Sequence, residues 1–278
     1  MYELGLIGYG SMASALLNGF LEAGVMAQDQ VAVSTRGKSR LKGLTGRWPG
    51  VTVAENNLDV TRNSKIVLIG VKPRDMKLLL DEIVPGLRDD AHLVSIVSGV
   101  AIANLGQMFS GKATKVIPSI TAEVRQGTSL VCHNSHVTPE DAAKIETLFG
   151  AVGRVQLVSE RNFEAAADLT SCGPGLISAI IDEFASAGMR HSTLTRAECE
   201  AMAISALYGT SKLLFERGMS PGDVITRVAT KGGITEEGVK VLRKELPATF
   251  DEVFAATLSK HDIVKAAIRQ QFSDPDQK

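Results

Sequence analysis

Leu4-Gly5-Leu6-Ile7-Gly8-Tyr9-Gly10-Ser11-Met12-Ala13 is the stretch that decides the fold. Its first four residues read as a short buried strand, and Met12, Ala15, Leu16, Gly19, Phe20 and Ala23 then recur at helical spacing. A strand, a tight glycine turn and a helix N-terminus together make a cradle for a diphosphate. Gly8 permits the sharp turn, Gly10 lets the backbone approach phosphate, and Ala13 keeps the helix close to the strand. The free N–H groups and the positive end of the helix dipole then face the anion. A structural turn can carry similar glycines. Its position directly after a strand, however, favours dinucleotide binding.

Working outward, strands are expected at 31–33, 51–53, 65–71, 93–97 and 114–117, with helical stretches at 37–47, 73–86 and 101–109 between them. Such alternation predicts an α/β fold, a Rossmann-type doubly wound and mostly parallel sheet. Two more β segments, 129–131 and 153–158, bracket a helix that starts at Thr138-Pro139-Glu140. From Glu160 the pattern becomes helical. Thr195-Arg196-Ala197-Glu198 has capping-box spacing, and Ser220-Pro221-Gly222-Asp223 reads as another helix start. A last helix is expected from about Thr249 to Gln271, followed by a polar tail, Ser273 to Lys278, that should fray. The expected division is 1–159 for nucleotide binding and 160–278 for an all-α domain. Such a domain often packs against a second copy of itself, and packing within one chain is the alternative.

Bulk properties narrow the function classes. The 278 residues exceed the usual single-domain size, and 44% are hydrophobic. Thirty basic residues against 31 acidic ones give a net charge of −1, which argues against a nucleic-acid or anionic-membrane partner. Cys132, Cys172 and Cys199 are too few and scattered for a disulfide framework, and a reducing, cytoplasmic setting is expected. The first strand begins too early to leave room for a signal peptide, and the uncharged run 93–111 is broken by polar residues. Histidines 92, 133, 136, 191 and 261 show no metal spacing, so no metal is expected; His133 and His136 are expected on a solvent-exposed loop.

The second strand speaks to the kind of nucleotide. It ends in Ser34-Thr35-Arg36-Gly37-Lys38, without the acid that would accept a ribose 2′-hydroxyl. Arg36 and Lys38 offer charge, and Ser34 and Thr35 offer hydroxyls, to a 2′-phosphate. NADPH is therefore expected over NADH, with NADH as the alternative. A solvated cluster at a helix start is the bland reading.

With these motifs in place, the chain resembles the pyrroline-5-carboxylate reductase family nearly end to end. Gly8 to Ala15 is similar to G-x-G-x-M-x-x-A, Gly70-Val71-Lys72-Pro73 to a V-K-P turn, and Ser95 to Val100 to S-I-x-x-G-V. Asn56 falls where the family has an asparagine near the adenosine. Leu169 to Gly175 resembles a degraded L-S-G-S-G-P-A, and Val228 to Gly238 resembles V-x-S-P-G-G-T-T-x-x-G. Departures lie on the substrate side: Lys115 to Thr121 keeps only Pro118 of R-x-M-P-N-T-P, Cys172 replaces a serine, and Lys231 replaces a proline.

The resemblance implies reduction of a cyclic imine, 1-pyrroline-5-carboxylate, to proline, in a homodimer or an oligomer of dimers. The alternatives are reduction of a different cyclic imine, or a drifted NADP-binding regulator. It further implies cofactor contacts at Gly8, Tyr9, Gly10, Ser11, Met12, Ser34, Thr35, Arg36, Lys38, Asn56, Val71, Lys72 and Pro73. Substrate contacts are implied at Pro118, Cys172, Gly173, Pro174, Gly232, Gly233 and Ile234.

Thr235 stands at the position of the family threonine that delivers a proton to the imine nitrogen; a helix cap is its other reading. Gly232 and Gly233 should leave amides uncovered for the substrate carboxylate. Lys231 either attracts that carboxylate or is solvated. Asp168 is out of place in an apolar helix and lies on the same face as Cys172, four residues on. It is a candidate acid near an iminium, against the alternative of a paired structural carboxylate. Pro174 is expected to kink a helix at its middle.

Overall fold

A computed structural model describes residues 1–273. Eight strands, β1 (Tyr2–Ile7), β2 (Val31–Ser34), β3 (Thr52–Val53), β4 (Ser64–Ile69), β5 (His92–Ser95), β6 (Lys112–Ile117), β7 (Gly127–His133) and β8 (Gly153–Leu157), form one sheet. Its order is β3-β2-β1-β4-β5-β6-β7-β8. Every neighbouring pair is parallel except β6 and β7. The helices α1 (Ser11–Glu22), α2 (Leu41–Arg47), α3 (Asn57–Asn63), α4 (Met76–Ile83), α5 (Ile102–Met108), α6 (Pro139–Gly150) and α7 (Phe163–Thr170) connect and follow these strands. They are succeeded by α8 (Gly173–Arg190), α9 (Arg196–Phe215), α10 (Pro221–Val228) and α11 (Ile234–Ser273).

Two cores cover the sheet. Leu16, Leu17 and Phe20 of α1 pack with Ile145 and Phe149 of α6, the two phenyl rings meeting edge to face at 5.5 Å. The other cluster joins Leu80 and Ile83 of α4 with Leu105 of α5 and Ile268 of α11. Small residues set the spacing between layers. A Cβ at Gly19 would fall 2.4 Å from Val152, and one at Gly70 would fall 2.9 Å from Ala13.

The chain divides into two compact units, 1–172 with 258–278, and 173–257. The expected boundary at 159 is thus displaced at both ends. Phe163 and Ala167 of α7 are buried with Leu130 of β7, and Val264, Ile268 and Phe272 join the core beneath α4 and α5. The remainder of the polar tail lies outside the described residues.

In the second unit the expected helix starts are present. Thr195 and Glu198 cap α9 reciprocally, as do Ser220 and Asp223 for α10. Two expectations are corrected. The last helix begins at Ile234 rather than Thr249 and carries Pro247 inside it, continuous over 40 residues. Pro174 sits in the first turn of α8, where no amide donor is needed, and the chain turns just before it at Ser171 and Cys172. The apolar side chains Phe184, Met202, Tyr208 and Phe215 of α8 and α9 are exposed.

Candidate active site

β1 pairs with β2 on one side and β4 on the other, so the sheet changes winding direction at its carboxyl end there. Ligand crevices form at such switch points. Gly8 turns the chain with φ +91, and a Cβ there would meet the Gly70 carbonyl oxygen at 2.7 Å. Its amide donates to the Ser34 carbonyl at 2.8 Å, and the Gly70 amide donates to the Ile7 carbonyl at 2.8 Å. These bonds fix the turn between β2 and β4. Gly10 is the N-cap of α1, no side chain caps that helix, and a Cβ at Gly10 would meet no atom within 4 Å. The backbone is therefore open to a phosphate at the positive end of α1.

A cavity of about 430 Å³ follows this turn, lined by Gly8, Tyr9, Gly10, Thr35, Arg36 and Arg40, with Asn57, Val71, Lys72 and Asp75 opposite. A neighbouring cavity takes in Ser11, Ser14, Arg40 and Arg47. Four cationic side chains thus border the crevice: Arg36, Arg40, Arg47 and Lys72. An open cradle with positive charge fits a phosphorylated dinucleotide.

Most of the expected cofactor residues line these cavities, and five do not. Ser34 is buried and donates its hydroxyl to Asn57 Oδ1 at 2.6 Å, because the side chain points beneath the crevice. Lys38 lies exposed in a short 3-10 turn, and Arg40, two residues on, lines both cavities instead. Asn56 caps α3 by accepting the Asp59 amide at 2.9 Å, while Asn57 lines the cavity. Met12 turns inward against the core, and Pro73 opens the next 3-10 turn. Arg40, Asn57 and Asp75 were not singled out from sequence.

The expected substrate residues divide between the units. Pro118 is buried after β6. Lys115 is only 2% exposed, with Nζ 3.8 Å from Glu164 and 4.5 Å from the centre of the Phe163 ring. Burial lowers its pKa, against the opposing pull of Glu164 and Glu160. Asp168 is 1% exposed and lies 3.1 Å from His261 Nε2, and its donor atom lies within 4.8 Å of those of Cys172 and His261. Burial raises the Cys172 thiol pKa. His133 also departs from expectation: it ends β7 half-buried, with Nδ1 2.7 Å from Thr114 Oγ1, whereas His136 is exposed.

In the second unit, Gly173 and Pro174 open α8, and Gly232, Gly233, Ile234 and Thr235 lead into α11. Thr235 is the second residue of that helix and exposed, so it is not its N-cap. The two glycine amides are not uncovered. Gly232 donates to Glu236 Oε2 at 2.7 Å and Gly233 to the Thr230 carbonyl at 2.8 Å. Lys231 is exposed.

The glycine cradle at the switch point of a largely parallel sheet, followed by a helical unit, defines a dinucleotide-dependent oxidoreductase of Rossmann architecture. Residues 3–99 match the family described as NADP oxidoreductase, coenzyme F420-dependent, and residues 160–263 match pyrroline-5-carboxylate reductase dimerisation. Pyrroline-5-carboxylate reductase 3 of Bacillus subtilis (strain 168) is 35% identical over 272 residues, covering 98% of this chain and all of that one. The Escherichia coli (strain K12) pyrroline-5-carboxylate reductase is 29% identical over 245 residues, 87% of this chain and 90% of its own. The crystal structure of the Coxiella burnetii pyrroline-5-carboxylate reductase superposes with a TM-score of 0.88 at 24% identity, covering 95% of this chain and 98% of that one. The chain belongs to the pyrroline-5-carboxylate reductase family, a family of NADP-dependent oxidoreductases.

Proposed function

We propose that the chain reduces 1-pyrroline-5-carboxylate to proline with NADPH. The observation that carries this reading is the cradle at Gly8 and Gly10 with Arg36 and Arg40 beside it, in a chain matched end to end by a reductase of that name. The nicotinamide, when bound, supplies a hydride to the C=N carbon. The protein's own work is placement and charge. The amides of α1 take the diphosphate, and Arg36 with Arg40 takes the 2′-phosphate.

The helix start at Ile234 and Thr235 receives the substrate carboxylate, and the Thr235 hydroxyl holds the imine nitrogen and relays its proton. The exposed apolar side chains of α8 and α9 support a homodimer through the helical unit. Three free thiols accord with a cytoplasmic setting.

Purified protein given NADPH and 1-pyrroline-5-carboxylate should oxidise the cofactor and form proline in equal amounts. Turnover confined to another cyclic imine would move the substrate assignment. Binding without turnover of any imine would indicate a regulator.

A further inference from the structure

We propose that Asp168, Cys172 and His261 form a binding site for one divalent cation of the zinc class, with a fourth coordination position left open. All three residues belong to the first compact unit. A carboxylate oxygen, a sulfur and an imidazole nitrogen have their donor atoms within 4.8 Å of one another. Ligand atoms around tetrahedral zinc stand roughly 3.3–3.8 Å apart, as bond lengths of about 2.0–2.3 Å require. Small side-chain shifts would therefore close the set on an ion. Sulfur and nitrogen with a single carboxylate suit zinc, and they are poor ligands for magnesium or calcium.

The frame around the donors is rigid. Cys172 lies two residues beyond α7, and its amide bonds the Ala167 carbonyl at 3.0 Å, a turn that holds it against the end of α7 with its sulfur near the Asp168 carboxylate. On the facing helix, His261 is held one turn before Lys265, whose Nζ lies 3.3 Å from Glu164. Glu164–Lys265 and Asp168–His261 are thus two successive rungs between α7 and α11. Further along α11, Val264 and Ile268 press on Gly99, where a Cβ would meet them at 2.7 and 2.9 Å. Asp168 is almost wholly buried in α7, an unusual place for a carboxylate. Cys172 is also a point where the segment departs from the motif it resembles.

Binding is a ligand exchange with no redox step. The cation takes up the Cys172 sulfur as thiolate, whose proton leaves to solvent. His261 binds through Nε2 with its proton on Nδ1, and Asp168 contributes one oxygen. Water or a small anionic ligand fills the fourth position, as in zinc sites with three protein ligands.

Metal-free, full-length protein titrated with Co²⁺ tests the site. The expected result is one Co²⁺ per chain, with a thiolate-to-cobalt charge-transfer absorption that Zn²⁺ displaces. Cys172→Ser should abolish that absorption, whereas Cys132→Ser and Cys199→Ser should keep it. His261→Gln should weaken binding by at least about tenfold, the smaller loss seen when even an outer-shell partner of a metal is removed. Absence of a thiolate band at millimolar Co²⁺, or its persistence in Cys172→Ser, would overturn the site and leave a hydrogen-bonded triad. The readout is optical, so it is independent of whether the chain reduces pyrroline-5-carboxylate.

Discussion

Arg36, beyond the end of β2, is ion-paired with Asp75, which follows the Val71-Lys72-Pro73 turn after β4. Both line the cavity at the glycine turn. The guanidinium suited to a ribose 2′-phosphate is therefore already engaged by an acid that the sequence of β2 itself lacks. The Arg36 side chain is 83% exposed, so the pair contributes little to folding, and the proposed contact with the 2′-phosphate makes cofactor choice the property to measure. Arg36→Ala should raise the KM for NADPH roughly tenfold or more, the loss expected of a charge-assisted contact, with little change for NADH. Asp75→Asn should lower the KM for NADPH by freeing the arginine and removing a negative charge. Steady-state kinetics with both cofactors checks this, and equal shifts for the two would remove the 2′-phosphate from the argument.

Gly8 adopts φ +91 with its absent Cβ directed at the Gly70 carbonyl oxygen, 2.7 Å away. An alanine there must bear backbone strain on the order of 1–3 kcal/mol and push the β4 turn aside. Gly8→Ala should lower the urea midpoint and abolish measurable NADPH binding by fluorescence titration. Gly10→Ala has room for its methyl group and should fold normally, yet bind cofactor more weakly, because that methyl projects where the phosphates approach.

The glycine turn, the strand alternation and the helix caps were legible because each is fixed by short-range rules: positive φ, period and capping spacing. Arg36 was found by the same route, since the missing acid at the end of β2 is a local fact. What stayed hidden depends on distant partners or on one residue of register. Asn56 and Asn57 are equivalent in composition, and only the start of α3, a short polar helix not expected from sequence, decides which caps and which faces the cavity. The last helix was expected from about Thr249, but it starts at Ile234 and runs through Pro247. His261 lies 93 residues from Asp168, a pairing that no spacing rule reaches. Its neighbours Val264 and Ile268 return α11 to the first unit's core.

Across β5, β6 and β7, Thr114 Oγ1 stands within hydrogen-bond distance of two histidines, 2.6 Å from His92 Nε2 and 2.7 Å from His133 Nδ1. Burial holds the His92 pKa down to about 4; Asp141 pulls it upward, and His133, Lys112 and Lys144 push it further down. An unfolded histidine titrates near 6.5, so the unfolded chain takes up a proton that the folded chain refuses. Stability from this group is complete above about pH 6.5 and lost as the pH falls towards 4. The full loss is on the order of 3 kcal/mol, since each tenfold difference in proton affinity between the folded and unfolded chain is worth about 1.4 kcal/mol. Urea midpoints should fall from pH 7 to pH 5, and His92→Asn should flatten that slope. An unchanged slope in the variant would assign the acid sensitivity elsewhere.

Thr235 is exposed in the first turn of α11, and no glycine amide beside it is open: Gly232 donates to Glu236 and Gly233 to Thr230. An anion arriving at this helix start meets the hydroxyl of Thr235 and the amides of Ile234 and Thr235, with the Glu236 carboxylate already folded back and 3.8 Å from Lys240. A hydroxyl is a weak acid, so in the role proposed above it would orient the imine nitrogen and pass on a proton, at the low end of the roughly 10²–10⁴-fold range for positioned acids. Thr235→Ala should therefore lower kcat about a hundredfold and leave NADPH affinity unchanged. Thr235→Ser, which keeps the hydroxyl, should restore most of the rate. The discriminating comparison is a Thr235→Val variant, whose side chain matches threonine in shape but offers no proton. If it turned over like the wild type, Thr235 would have only a packing role, and proton delivery would belong to another group.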